Sequence, residues 1–272
     1  MKQNYDCRAS SWGSLFDCAH KWEWETFRGN RGKNSARAQL GTSIHKGTAV
    51  YDAGRMTGDL VSVNDAAGAF VDELRNPEKE VDWSNSDIRL AEAERIGLNL
   101  VSKYCYEVSP NYKFSEVEMD TKEMVIDCDP SSIYGITITL TGTLDRTRVW
   151  EHRDGKGISD IKTGKLAVVQ GKAKTKGHGA QLGVYEMLYE HSTGEVLSAP
   201  AEIIGLKTSG KMEIACSPIF GAKEMMVGTE NEPGLIEYAK AIFKSGLFPP
   251  NPQSFLCNPK YCARWDTCKF HG

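Results

Sequence analysis

Near residue 110 the apolar pattern of this 272-residue chain changes its period, and that change limits the folds open to it. Before it, apolar residues recur at helical spacing. Trp12, Leu15, Phe16, Ala19, Trp22 and Trp24 predict a helix over residues 10–27. A second helix is predicted from Ala36 to Met56, and two more across residues 64–107, interrupted near Asn76-Pro77. After it, Phe114–Ile126 alternates, and Tyr134–Trp150 is rich in Ile, Thr, Val and Leu. Both stretches predict strands, as does Gly157–Thr163, which ends at Gly164. Helix returns over Gly177–His191. A hairpin comes next, from Ala201–Thr208 and Lys211–Ser217 around Ser209-Gly210, then a last helix over Asn231–Ser245. Helices succeeded by strand–strand–strand–helix–strand give an α/β fold with helices on a mixed sheet.

The length suits one domain with a sizeable core. We divide it into a mainly helical part (1–110), an α/β core (111–248) and a Pro-, Cys- and aromatic-rich tail (249–272). No apolar run reaches the ~20 residues of a membrane span, and the N-terminal segment lacks a secretory apolar core. A cytoplasmic protein is expected, in which cysteines are thiols or metal ligands rather than disulfides. The net charge of -3 means that any nucleic-acid-binding face is local. Two basic stretches qualify. Lys162, Lys165, Lys172, Lys174 and Lys176 form one, and Lys21, Arg28, Arg31, Lys33 and Arg37 the other.

Two acids stand in strands otherwise made for burial: Asp145 in Leu140–Arg146 and Asp160 in Ile158–Gly164. A buried anion is costly unless it is paired or binds a metal. The period of two puts Asp160 and Lys162 on one face and turns Ile161 to the core. Carboxylates beside a lysine suit phosphodiester hydrolysis with Mg²⁺ or Mn²⁺, although an isolated D-x-K is also an ordinary cross-strand ion pair. His45, in a predicted helix, can serve as a metal ligand. Gln181 and Tyr185, four apart, share a helix face.

The tail holds Cys257, Cys262 and Cys268 at C-x4-C-x5-C, a metal-ligand spacing. A fourth ligand could be His271, giving a Cys₃His zinc site, or Cys18, giving four thiolates suited to a [4Fe–4S] cluster. Cys7, Cys105, Cys128 and Cys216 are scattered and read as small buried residues.

Taken in order, Gly41-x-x-x-His45, Gly142-x-x-Asp145, Asp160-x-Lys162-Thr-Gly and Gln181-x-x-x-Tyr185 resemble the RecB-like branch of the PD-(D/E)XK nuclease superfamily. The resemblance implies a restriction-endonuclease-like core. It implies a metal held by His45, Asp145, Asp160 and the Ile161 carbonyl, with Lys162 as catalytic lysine and Gln181 and Tyr185 positioning substrate. The second acid is Asp where Glu is frequent. The acid expected soon after the helical histidine is missing, since Ala49 and Val50 stand there and Asp52 comes later. Ser11-x-x-Ser14-Leu15-x-x-Cys18-x-x-Lys21-Trp22 is similar to the N-terminal cysteine helix of iron–sulfur-containing CRISPR-associated and phage recombination exonucleases, which selects Cys18 as the fourth thiolate. The activity implied is that of a DNA exonuclease acting on single-stranded or frayed ends, in recombination, repair or CRISPR spacer processing, with an adaptation or recombination protein as possible partner. The alternatives are an endonuclease, a ribonuclease, or a non-catalytic DNA-binding or assembly module.

Overall fold

The computed structural model describes residues 2–150 and 155–271. Strand β1 (Gln3–Arg8) opens the chain and was not anticipated. The predicted helix over 10–27 is broken: a 3-10 turn leads into α1 (Trp12–Asp17), Cys18 is extended, and α2 (Ala19–Trp22) runs on into a π-helical turn. The break lies at Cys18, whose φ/ψ of -150°/95° leaves the helical region. After β2 (Asn34–Ser35), helix α3 (Ala36–Thr57) starts where the Ser35 side chain accepts from Ala38 N at 3.1 Å. Helix α4 (Val63–Arg75) starts at a Ser62/Asp65 capping box. Next is β3 (Val81–Asp82), and helix α5 (Leu90–Glu107) buries Ala93, Ile96, Leu100 and Tyr104 along one stripe.

Then come β4 (Lys113–Asp120), β5 (Met124–Asp127), β6 (Ile136–Thr141), β7 (Thr143–Trp150) and β8 (Gly155–Gly164). The lysine-rich connection is itself a small hairpin of β9 (Val168–Val169) and β10 (Lys172–Ala173). Helix α6 (Gly179–Thr193), β11 (Ala201–Lys207), β12 (Ile214–Ile219), α7 (Ala222–Val227) and α8 (Leu235–Ser245) complete the fold. The expected mixed sheet is present as β12-β11-β8-β7-β4, with β8 and β11 parallel. A second sheet, β1-β6-β5, contains the parallel pair of β1 and β6.

Alternation along β8 and β11 divides the apolar residues between two cores. Ile158 and Ile203 join Leu182 and Leu188 of α6, together with β1, β6 and the N-terminal helices. Ile161, Ile204 and Leu206 pack with α3, α4 and α5 on the other side. The central strands are therefore covered on both faces, and a charged side chain within them loses its water. No helix among the described residues is long and apolar enough to cross a membrane.

Candidate active site

The ladder between β7 and β8 runs from Trp150↔Gly155 to Arg146↔Ser159. One residue further on, the Asp145 carboxylate takes the place of a strand carbonyl: Ile161 N donates to Asp145 Oδ2 at 2.8 Å. The strands thus part into a fork with a carboxylate in its crotch. Asp145 is 8% exposed and Asp160, across the fork, 1%. Helix α3 brings His45 Nδ1 to 3.4 Å from Asp145 Oδ2. It can lie that close because Gly41, one turn earlier, has no side chain. A Cβ there would sit 2.7 Å from Thr163 Oγ1 on β8.

Lys162 Nζ lies 2.6 Å from Asp160 Oδ2, so that a positive charge stands directly against the buried carboxylate. On α6, Gln181 Nε2 donates to Tyr185 Oη at 3.1 Å and reaches Asp160 Oδ1 at 3.4 Å. The sequence-predicted His45, Asp145, Asp160, Lys162, Gln181 and Tyr185 therefore meet at one place. Ile161 is fully buried, with its backbone between the two acids.

Glu118 of β4 was not anticipated. Its ligand oxygen, one from Asp145 and a ring nitrogen of His45 all lie within 4.8 Å of one another. Glu118 places an acid beside His45 from a strand, where the sequence offers none soon after that histidine. Its φ is +50°, a region that a non-glycine residue enters at a cost. Glu116 and Glu118 look alike in the alternating sequence, and only the backbone distinguishes them. Arg146 secures the arrangement. Fully buried, it donates to Glu118 Oε1 at 2.9 Å, to the Asp145 carbonyl at 2.6 Å and to Asp52 Oδ2 at 2.7 Å. Asp52 also accepts from Tyr104 Oη at 2.7 Å and Ser109 Oγ at 2.5 Å, so the late acid of α3 is committed to this network.

Charge is divided unequally across the fork. Burial, and then the Asp145 carboxylate, push Asp160 up to about 6 against the pull of Lys162. Burial would also raise Asp145, but His45 and Lys162 outweigh it and hold that carboxyl below the usual range. Burial works against a charged His45, yet Asp145 raises its pKa overall. Loss of water, then Asp145, raises Glu118, although 41% of that side chain stays open to solvent. Acids crowded around an imidazole, with burial and mutual repulsion raising two of them, fit a divalent cation bound by oxygen and imidazole ligands.

The four cysteines singled out in sequence, Cys18, Cys257, Cys262 and Cys268, line one pocket between the N-terminal helices and the tail. Asn251 N approaches Cys18 Sγ at 3.4 Å. Burial, then Cys18 and Cys268, raise the Cys257 thiol. His271 is stacked on Trp265, ring centroids 4.0 Å apart, and is not among the residues lining that pocket.

The two basic stretches differ. The N-terminal one is largely neutralised: Lys21 pairs with Glu25 at 2.9 Å, Arg28 with Glu23, Lys33 with Glu80 at 2.6 Å and Arg37 with Asp87 at 2.8 Å. In the other, Lys165 pairs with Asp87, while Lys172, Lys174 and Lys176 have no acidic partner among the described residues.

The profile of the PD-(D/E)XK nuclease superfamily matches residues 9–269. Among solved structures, the chain is similar to a "Putative exonuclease" from Eubacterium rectale, with 13% identity over 90% of this chain and 83% of that one and a TM-score of 0.49. No curated protein matches it.

Proposed function

This chain belongs to the PD-(D/E)XK nuclease superfamily, hence to the metal-dependent nucleases, and from that premise we propose that it is a DNA exonuclease acting on single-stranded or frayed ends. The observation that carries the reading is the fork itself, with Asp145 and Asp160 facing each other and Lys162 2.6 Å from Asp160. The RecB-like order of His45, Asp145, Asp160-x-Lys162 and Gln181-x-x-x-Tyr185 supports the exonuclease part. Mg²⁺ or Mn²⁺ would be held by Asp145, Asp160 and His45, with the Ile161 carbonyl and Glu118 at hand. When bound, it polarises the phosphorus centre and acidifies a water. Lys162 places positive charge where the phosphate gains negative charge. Gln181, held between Tyr185 and Asp160, offers an amide to the phosphate or the attacking water. Tyr185 keeps a hydroxyl proton for the same purpose, since burial and then Asp145 and Asp160 raise its pKa.

The same reading includes a [4Fe–4S] cluster on Cys18, Cys257, Cys262 and Cys268, with a structural role. Convergence of these side chains on one pocket supports it, as does the stacking of His271 on Trp265, away from them. Zinc is the alternative metal. The setting would be recombination, repair or CRISPR spacer processing, with the chain encoded by a phage and acting beside a partner protein of that pathway.

The test is cleavage of end-labelled linear and circular single-stranded DNA, with and without Mn²⁺. Degradation of the linear form alone supports an exonuclease. Cutting of the circle makes it an endonuclease, and no metal-dependent cutting of either form, nor of RNA, favours the non-catalytic module. Iron and sulfide on anaerobically prepared protein, at about four each per chain, support the cluster. One zinc per chain, lost in His271→Ala, replaces it.

A further inference from the structure

Cations beside the fork lie on both sides of it, but only some are free to meet a ligand. Arg8 ends β1, paired with Thr141 in the β1–β6 ladder. The residue after Thr141 is Gly142, over which Tyr185 lies so closely that a Cβ would be 2.8 Å from its ring. Arg8 is thus at the rim of the site, exposed and without an acidic partner among the described residues. The segment Lys174–His178 approaches the same rim. A Cβ on Gly13, at the start of α1, would lie 3.8 Å from the Gly177 carbonyl. His178 adjoins both the catalytic lysine and this segment: burial, then Lys162 and Lys174, lower it to about 4. Helix α6 starts directly after this segment, and its N-cap residue, His178, makes no side-chain cap.

We propose that the substrate strand crosses the start of α6 with its phosphates held by Arg8, Lys174 and Lys176, and that the acid-paired cations Lys21, Arg28, Lys33 and Arg37 take no part in holding it. The proposal rests on the nuclease reading and adds a side of approach to it. Its basis is a difference in partners. A lysine already paired with glutamate must break that pair before it can neutralise a phosphate, whereas an unpaired one releases counterions at once. Arg28 and Lys33 follow the aromatic helix, but each already has its acid.

The experiment measures binding apart from cutting: fluorescence anisotropy of a labelled oligothymidylate with Ca²⁺ in place of Mg²⁺, over a series of salt concentrations. Arg8→Ala/Lys174→Ala/Lys176→Ala should weaken binding by about tenfold or more and lower the log–log salt slope by about 2, since each phosphate contact on a single strand contributes about 0.7. Arg28→Ala/Lys33→Ala should change binding less than about twofold. Each single variant of the first set, on an exposed side chain, should show part of the loss, which guards against misfolding of the triple variant. Unchanged binding and slope in the first set, or an equal loss in the second, would overturn the proposal. A chain that binds with this pattern yet cuts nothing defeats the nuclease reading and leaves the track intact.

Discussion

The fork and the clasp, as we term the junction of the N-terminal helices with the tail, both gather side chains of types that can bind metals, but they are built in opposite ways. In the fork, the acids stand on strands covered by helices on both faces, and Asp160 is 1% exposed. Packing fixes the geometry before any cation arrives, and the cost shows as a carboxyl pushed up to about 6. In the clasp, no described residue from Pro249 to His271 is buried apart from partial cover. Polar contacts hold it: Ser254 Oγ donates to Asp17 Oδ2 at 2.5 Å, Asn251 Nδ2 to the Asp17 carbonyl at 2.9 Å and Arg264 Nη1 to Glu23 at 2.7 Å. One region has a core and gives up stability to make a site. The other has almost no core and would gain stability from what its cysteines bind.

If that contrast holds, the largest effect belongs to the fork. Asp145→Ala, Asp160→Ala or Lys162→Ala should each lower cleavage by at least about a thousandfold, because the metal and its charge partner act as a unit. Asp160→Asn should also raise the melting temperature of metal-free protein at neutral pH, since burial and Asp145 disfavour the ionised carboxylate in the folded state more than Lys162 favours it. A well-folded variant that cuts at a near-normal rate removes that residue from the mechanism. The clasp should behave the other way. Cys18→Ser should cost roughly 2–5 kcal/mol of stability, as for loss of a long cross-link, while sparing most of the activity at low temperature. Cleavage of the tail by trypsin, before and after the substitution, measures this. Equal protection would show that the polar contacts suffice.

Smaller effects sharpen the picture of the fork. Gly41→Ala should cost about 1–3 kcal/mol and slow cleavage, because the new Cβ meets Thr163 and lifts His45 away from Asp145. Combining it with Thr163→Ala should restore both, a coupling that thermal melts and rates can score. Smallest is Tyr185→Phe, which deletes one hydroxyl and should reduce turnover by about tenfold, with metal binding unchanged in calorimetry.

What could be read in sequence obeys the same division. Asp160-Ile161-Lys162 announced itself because a period of two in an apolar strand forces acid and lysine to one face. His45, Asp145, Gln181 and Tyr185 were legible from their order along the chain. Glu118 was not, because its position depends on a left-handed residue in β4, and nothing in Phe114–Asp120 marks which glutamate would adopt it. Arg146 stands beside Asp145 in plain view, but its use depends on Asp52, Tyr104 and Ser109, remote partners supplied by packing. Strand β1 was missed because Gln3–Arg8 has few apolar residues and gains its partner, β6, only across more than a hundred residues. The neighbours of the N-terminal basic residues were hidden for a related reason: Glu80 and Asp87 reach Lys33 and Arg37 only when the chain folds.

The clasp also sets a timetable for the ribosome. Cys18 is made 239 residues before Cys257, the difference of their positions. At roughly 5–20 residues per second this is a wait of roughly 12–48 s. Throughout that interval β1 and the helices after it exist without the tail that closes over them. Any metal shared by Cys18 and the three later cysteines must therefore wait until Cys268 has been made. Every fork residue up to Tyr185 precedes Cys257, so insertion of the metal would follow synthesis of the whole fork, and a cell short of that metal would accumulate forks without a closed clasp.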